Sequence, residues 1–521
     1  MNKIINKKVW APFLVVLLML GACTDLTEEI SGTSDKLTSS SIAGVLNGAY
    51  GSMGPIVGWN IFFSQQACTP EAIMTWFGDP AIAYRHEWDG ASVEQTAAGE
   101  TFRFLGSGIS NCNSAIKMIG DNLNTASESD KPTVEAYLAE AKFVKALYEY
   151  WHWELFGQIP FREIDDYNYY VPCGVKNAKE GYDILVDEIT EAIKNLKSKA
   201  EIPTSSGRAN KGAARMLLAQ VYMNSSWVSG TPHWAEALQV LNDLIGSNEY
   251  AVDPDYWNTF SPTNQNNSDI IFGELFRSVG ATGGMCEAGQ FLNGGHWVNS
   301  TIYGWGTGAC STPDLVAMFD KVNDKRYQSP FDMNAGFSWG ILVGPMRSPG
   351  SATDTIRTSD GTPVIYTPTL SSLYFANFEG PRVLKYSLKG DEGGPYLQNN
   401  TFAIFRYAQA LLQRAECLFR LNQGDKGLAD LNYIRTIRGL SALGAMPAGQ
   451  AGLDSLFIES RRELYSEANA RPDYIRFGKF GGTWHLKPTP DASPLAKRFY
   501  NPPPKYANSN PNFIMDPNAQ K

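Results

Sequence analysis

Residues 133–155 constrain the fold of this chain most. Val134, Leu138, Ala141, Val144, Tyr148, Trp151 and Leu155 recur at steps of three and four, which places them on one face of an α-helix. Pro132 precedes the run, and Gly157 and Pro160 close it, a helix start and stop. The same period recurs over Gly181–Leu196, over Asn210–Ser225 and from His233 onward. Further along, the pattern predicts one helix over Phe402–Leu421, a break at Gly424 and another helix over Gly427–Arg438. Alanines punctuate these runs at 139, 141, 146, 213, 214, 219, 408, 410 and 415. Small residues let antiparallel helices approach closely, as in tetratricopeptide pairs. The fold class expected is therefore mainly α, with TPR-like helix pairs forming a scaffold over about 98–250 and 401–480.

Between these halves the pattern fails. Residues 252–400 are rich in Gly, Ser, Thr, Asn and Pro, with short strands expected at Asp269–Phe272 and Val383–Tyr386. So long an irregular stretch inside a compact domain is usually functional. It reads as a loop-rich ligand-binding insertion in a single domain, residues 41–521. The Pro- and Asn-rich tail after Gly481 is expected to wrap the surface.

The N-terminus sets the compartment. Lys3, Lys7 and Lys8 precede an uncharged, almost wholly apolar run from Val9 to Leu20. That run is too short to span a bilayer and suits a signal peptide, residues 1–22. Leu20-Gly21-Ala22-Cys23 resembles a bacterial lipobox, in which Cys23 is the acylated first residue of the mature chain. Residues 23–40 read as a lipidated Cys and polar linker. No other apolar run is long enough to cross a membrane.

The chain carries 44 Lys and Arg against 53 Asp and Glu, a net charge of −9. Loss of residues 1–22 removes three Lys and no acid, giving −12. Nucleic acid is thereby disfavoured, because it demands a dense cationic face. The six cysteines beyond Cys23 form no C-x-x-C pair and no zinc spacing with the five His, so no metal is expected and buried thiols are the plain reading. A Cys286–Cys310 bridge is the one pairing the spacing leaves open.

Several stretches, in order, resemble the SusD/RagB-like lipoproteins of Bacteroidetes. Ala139–Ala146 leading into Trp153-Glu154-Leu155-Phe156-Gly157-Gln158-Ile159-Pro160 is similar to that family's N-L-F-G-x-[VI]-P helix end. Asn210–Arg215 resembles its K-G-A-A helix start, and Asp269–Phe272 its short strand. Phe405–Glu416 resembles its R-Y-A-E helix, and Leu431–Arg435 its L-N-x-I-R. Arg461-Arg462-Glu463-Leu464, Glu467 and Asp473–Gly478 resemble its last motif, with Ala468 where Gly is usual and Arg471 one place late. The spacing of Glu463, Glu467 and Arg471 suits a local ion-pair network better than a pair of catalytic carboxylates facing across a cleft.

The resemblance implies a surface-exposed outer-membrane lipoprotein without cofactor. It would capture glycan and hand it to a SusC-like TonB-dependent transporter. A peptide-binding RagB-like protein and a surface hydrolase are the rivals. No G-x-S-x-G, H-E-x-x-H, P-loop or EF-hand motif occurs. Ser114-Ala115-Ile116-Lys117 lacks its companion motifs, and the Gly-rich Tyr303–Gly308 lacks a phosphate loop's strand-then-helix context.

The rings carry the binding expectation. A pyranose presents an apolar C–H face and a hydroxyl rim, so an aromatic plate with amides or charges beside it complements it. Trp59, Trp76, Trp88, Trp297, Tyr303, Trp305 and Trp339 fall in irregular segments and form the candidate ligand set. Asn60, Asp79, Arg85, Asn293, Asn299 and Asp314 are the polar groups near them in sequence.

Overall fold

The computed structural model describes residues 39–75, 78–166, 170–276, 291, 308–334, 336, 338–387 and 399–519. Its longer α-helices are α1 (Ser39–Tyr50), α2 (Ala97–Leu123), α3 (Lys131–Phe156), α4 (Ala178–Asn195), α5 (Lys211–Val228) and α6 (Trp234–Gly246), followed by α7 (Tyr407–Arg420), α8 (Gly424–Ile437), α9 (Gln450–Leu464) and α10 (Ala470–Arg476). From α2 to α8 each helix packs on the next, with α6 meeting α7 across the long insertion. Mainly α architecture with stacked helix pairs is thus what the periodicity encodes.

Local chemistry sets the ends of these helices. Gly157 ends α3 in the left-handed region at φ 63°, where glycine carries no Cβ penalty. Asn177 and Glu180 form a capping box at the start of α4, and Asn210 accepts from Ala213 N at the start of α5. Small residues do bring helices together: a Cβ at Gly108 on α2 would lie 2.8 Å from the Tyr148 ring on α3.

The strands are short and paired in twos. β1 (Gln158–Phe161) pairs β2 (Gly174–Asn177), and β3 (Ile270–Leu275) pairs β8 (Thr401–Arg406). Between them β4 (Gly340–Leu342) pairs β7 (Arg382–Leu384), and β5 (Gly344–Pro345) pairs β6 (Ile365–Tyr366). All four pairings are antiparallel. The insertion also owns a small core of Trp339, Leu342, Met346, Ile356, Val364, Tyr366 and Leu384.

Two expectations are corrected. Phe402 to Arg406 is strand, not the first turn of a helix, because both of its faces are covered and β3 supplies a ladder partner. Asp269 sits at that junction: its Oδ1 accepts from Ala408 N at 2.8 Å and its backbone oxygen from Tyr407 N at 2.7 Å, so α7 begins there. Gly424 opens α8 rather than breaking the chain; Asn422, at φ 58°, makes the turn.

The tail after Gly481 returns to the first helices. Tyr500 N donates to Leu155 O at 2.9 Å, Ile514 N to Gln158 Oε1 at 2.9 Å, and Tyr506 OH to Glu100 at 2.6 Å.

Candidate functional site

The insertion is bolted to the scaffold by buried charge. Glu463 on α9 accepts from Arg326 at 3.2 Å, Arg406 at 3.2 Å and Arg438 at 3.0 Å, and all four side chains are almost wholly enclosed. Although burial opposes its charge, those three guanidiniums hold the Glu463 carboxyl well below the usual carboxylate range. Lys385, beside β7, donates to Glu467 at 2.5 Å and to the backbone oxygens of Glu463 and Tyr465. Burial pushes its ammonium down to about 8, against the pull of Glu467.

The expected Glu467–Arg471 pair does not form. α9 ends at Leu464, and Ser466 and Ala468 turn through φ 56° and 57°, so the helical i, i+4 spacing no longer applies. Arg471 instead meets Glu154 on α3, while Glu467 meets Arg406 and Lys385. These carboxylates are frame, each matched to a cation.

With that frame set, three distant pieces of irregular chain converge. Ile73 and Cys310 form an antiparallel bridge, with N···O distances of 2.7 and 3.0 Å in the two directions. Tyr84 OH and Arg85 Nε donate to the backbone oxygens of His485 and Leu486, and the His485 ring meets Leu370 O at 2.6 Å. The described chain at 73–75 and 78–87 is therefore joined to Cys310, 370–374 and 484–486.

Tyr374 stands at this junction, 66% exposed. Its hydroxyl donates to Asp79 Oδ1 at 2.5 Å, and the same oxygen caps the short helix Pro80–Tyr84 by accepting from Ala81 N. The Tyr374 hydrogen bond, then the Ala81 amide, lower the Asp79 carboxyl from its ordinary value, and Asp79 in turn raises the Tyr374 phenol. Arg85 and Glu87 lie exposed within electrostatic reach. Among the described residues nothing bonds Asp79 Oδ2 or the terminal nitrogens of Arg85. An open ring, a free carboxylate oxygen and free guanidinium donors complement a sugar's apolar face and hydroxyl rim.

Of the rings named from sequence, three lie among the described residues. Trp88 is fully enclosed, its Nε1 donating to Phe499 O at 3.2 Å and its ring 4.5 Å from Tyr500, so it offers no face to a ligand. Trp339 is 5% exposed in the insertion's small core. Trp59 is half-buried on a π-helical stretch, edge-on to Phe63 at 5.5 Å. Trp76, Trp297, Tyr303 and Trp305 lie outside the described residues, as do Asn293 and Asn299. Of the polar set, Asp79 and Arg85 come together. Asp314 accepts from His485 N at 2.7 Å, while Asn60 is buried and donates to Pro55 O. Tyr374 was missed because a lone tyrosine carries no motif; its exposure is a tertiary fact.

Cys310 is a buried free thiol, and Cys286, the other half of the open Cys286–Cys310 pairing, lies outside the described residues. Cys68, Cys112 and Cys417 are likewise buried and free, and Cys173 is half-buried. Among the described residues no cluster could hold a metal ion, and no helix is long and apolar enough to cross a membrane.

The SusD family model matches residues 245–517, more than half of the chain. The chain belongs to the SusD family. The starch-binding protein SusD of Bacteroides thetaiotaomicron is 26% identical over 377 residues, 66% of this chain and 64% of that protein, so the match spans just under two thirds of this relative. The SusD-like protein P25 of Formosa agariphila is 23% identical over 414 residues, covering 74% of this chain and 71% of the relative. A SusD superfamily protein of Parabacteroides distasonis shares the fold at TM-score 0.71 and 20% identity, covering 92% of this chain and 99% of the other. Surface glycan-binding protein A of Bacteroides thetaiotaomicron, solved with laminarihexaose, shares it at TM-score 0.67 and 18% identity, covering 92% and 100%. Within this SusD-family chain the Tyr374 surface joins the inserted segment to residues 79–85 and 485–486.

Proposed function

We propose that this SusD-family chain is a non-catalytic glycan-binding lipoprotein of the cell surface. Neutral oligosaccharide would stack on Tyr374 and on rings of the inserted segment. Asp79 and Arg85 would read the hydroxyl rim. Cys23 would carry the lipid that tethers the protein to the outer membrane, and captured glycan would pass to a SusC-like TonB-dependent transporter. The observation that carries this reading is the exposed Tyr374 ring fixed by Asp79 beside the open terminal nitrogens of the Arg85 guanidinium. Starch and laminarihexaose, named for two relatives, agree with it.

Isothermal titration of the lipid-free protein against panels of neutral glycans and of peptides tests the ligand class. Heat with a glycan is expected. Binding to peptides alone would replace this reading with that of a peptide receptor. New reducing ends during long incubation would instead make it a hydrolase. Radiolabelled palmitate incorporated by the wild type and not by Cys23→Ala, together with copurification of a TonB-dependent barrel from outer membranes, tests the anchor and the partner.

A further inference from the structure

A cleft of about 500 Å³ opens between α2, the chain leaving β1 and the C-terminal tail. Its volume falls in the range of roughly 300–1,000 Å³ typical of small-molecule sites. None of its lining residues belongs to the Tyr374 surface.

Three half-buried rings, Phe161, Tyr506 and Phe513, line it. Each is already held. Phe513 packs edge-on to Phe102 at 5.1 Å, Lys176 covers one face of Phe161 at 4.8 Å, and Glu100 accepts from Tyr506 OH at 2.6 Å. The walls are fixed as well. Arg162 donates to Val171 O at 2.6 Å, and Asn510 and Asn512 donate to Cys173 O at 3.0 and 2.9 Å. A ligand would therefore bind without first ordering the site.

The polar groups suit a neutral, hydroxyl-rich molecule. Ser110 and Ser114 on α2 spend their protons on the carbonyls one turn back, at 3.1 and 3.2 Å, and keep oxygen lone pairs to accept with. The Asn113 amide has no hydrogen-bond partner among the described residues, and its Oδ1 is buried in that state. An unpaired buried amide is costly until something pairs it. Among the described residues one cation lines the cleft, Arg162, and it is paired to Asp166 at 2.7 Å, which removes the obvious hold on an anion.

We propose that this cleft is a second carbohydrate subsite, taking a neutral oligosaccharide segment. It rests on the glycan-binding reading for the choice of ligand and on no residue of the Tyr374 surface. Cys173, half-buried in its wall, supplies a local reporter. The full chain in a sugar-free detergent is treated with iodoacetamide, with and without saturating maltohexaose, laminarihexaose, xylohexaose or mannohexaose. Alkylation at Cys173 is followed by peptide mass spectrometry.

At least one saccharide should slow it several-fold in the wild type and equally in Tyr374→Ala. In Ser114→Trp, an exposed helix position whose new ring fills the cleft, sugar should change nothing. If no saccharide slows Cys173 in the wild type, or if slowing disappears in Tyr374→Ala or persists in Ser114→Trp, the cleft is not a subsite. Titration heat lost in Tyr374→Ala and retained in Ser114→Trp would then uphold the primary reading on its own. The opposite pattern would leave the cleft standing and remove the Tyr374 surface.

Discussion

Glu463→Gln puts the buried frame to the test. The substitution keeps the shape of the side chain and removes one charge. Three guanidiniums then face an amide that accepts at one atom only and turns its NH2 donor toward their donors. Arg326, Arg406 and Arg438 are each at most 1% exposed, so water cannot compensate. Breaking a buried pair by neutralising one partner costs about 3–5 kcal/mol. Unfolding entropy scales as about 2.1 cal/mol/K per residue, hence roughly 1 kcal/mol/K for a unit of this size, and the melting temperature should fall by about 3–5 °C. Differential scanning calorimetry at one scan rate reads this directly.

The pH dependence follows from the sign of the shift. The folded carboxyl lies below its ordinary 4.5, so its contribution is complete above that value and fades as pH falls through it toward the folded value. The gap between wild type and variant should be flat from pH 6 to 8 and narrow below 4.5. A melting shift under about 1 °C at pH 7, or a gap that widens in acid, would refute the claim that Glu463 holds the insertion through its charge.

Four further outcomes are expected. Ala468→Gly should raise stability by about 1 kcal/mol, read as a higher melting temperature, because Ala468 sits at φ 57°, a left-handed geometry that penalises a Cβ. Tyr374→Ala should weaken glycan binding about tenfold by titration, the worth of one stacked ring at roughly 1.4 kcal/mol, with melting unchanged. Glu274, on β3, has its carboxyl pushed up to about 7 by burial alone; the wild type therefore loses stability as pH rises from 4.5 to 7, and Glu274→Gln should melt higher than wild type at pH 8 and alike at pH 4. Iodoacetamide should leave Cys68, Cys112, Cys310 and Cys417 untouched in the native protein, since burial raises every one of these thiols, and label them once guanidinium is added.

Helices were readable where one face decides everything. The Val134–Leu155 stripe needs only a cover, and Gly157 is a cap whatever covers it. The Phe402–Arg406 run misled because its apolar residues match either period; β3, some 130 residues earlier, decides between them. Ion partners were less legible still. Glu467 and Arg471 look adjacent along a helix, yet the helix has ended, and their partners come from Lys385, Arg406 and Glu154. The site was half legible. Asp79 and Arg85 were named as polar neighbours of tryptophans, while Trp88 proved to be core, because a ring's exposure depends on what folds over it. Here that is the tail at Phe499 and Tyr500.

That returning tail has a bearing on biosynthesis. Leu155 O, Gln158 Oε1 and Glu100 each accept a hydrogen bond from residues 500–514, which are made long after them. The first two long helices cannot complete their packing while the chain is being made. The contact that closes the N-terminal helices becomes possible only after residues 500–514 have been made as well.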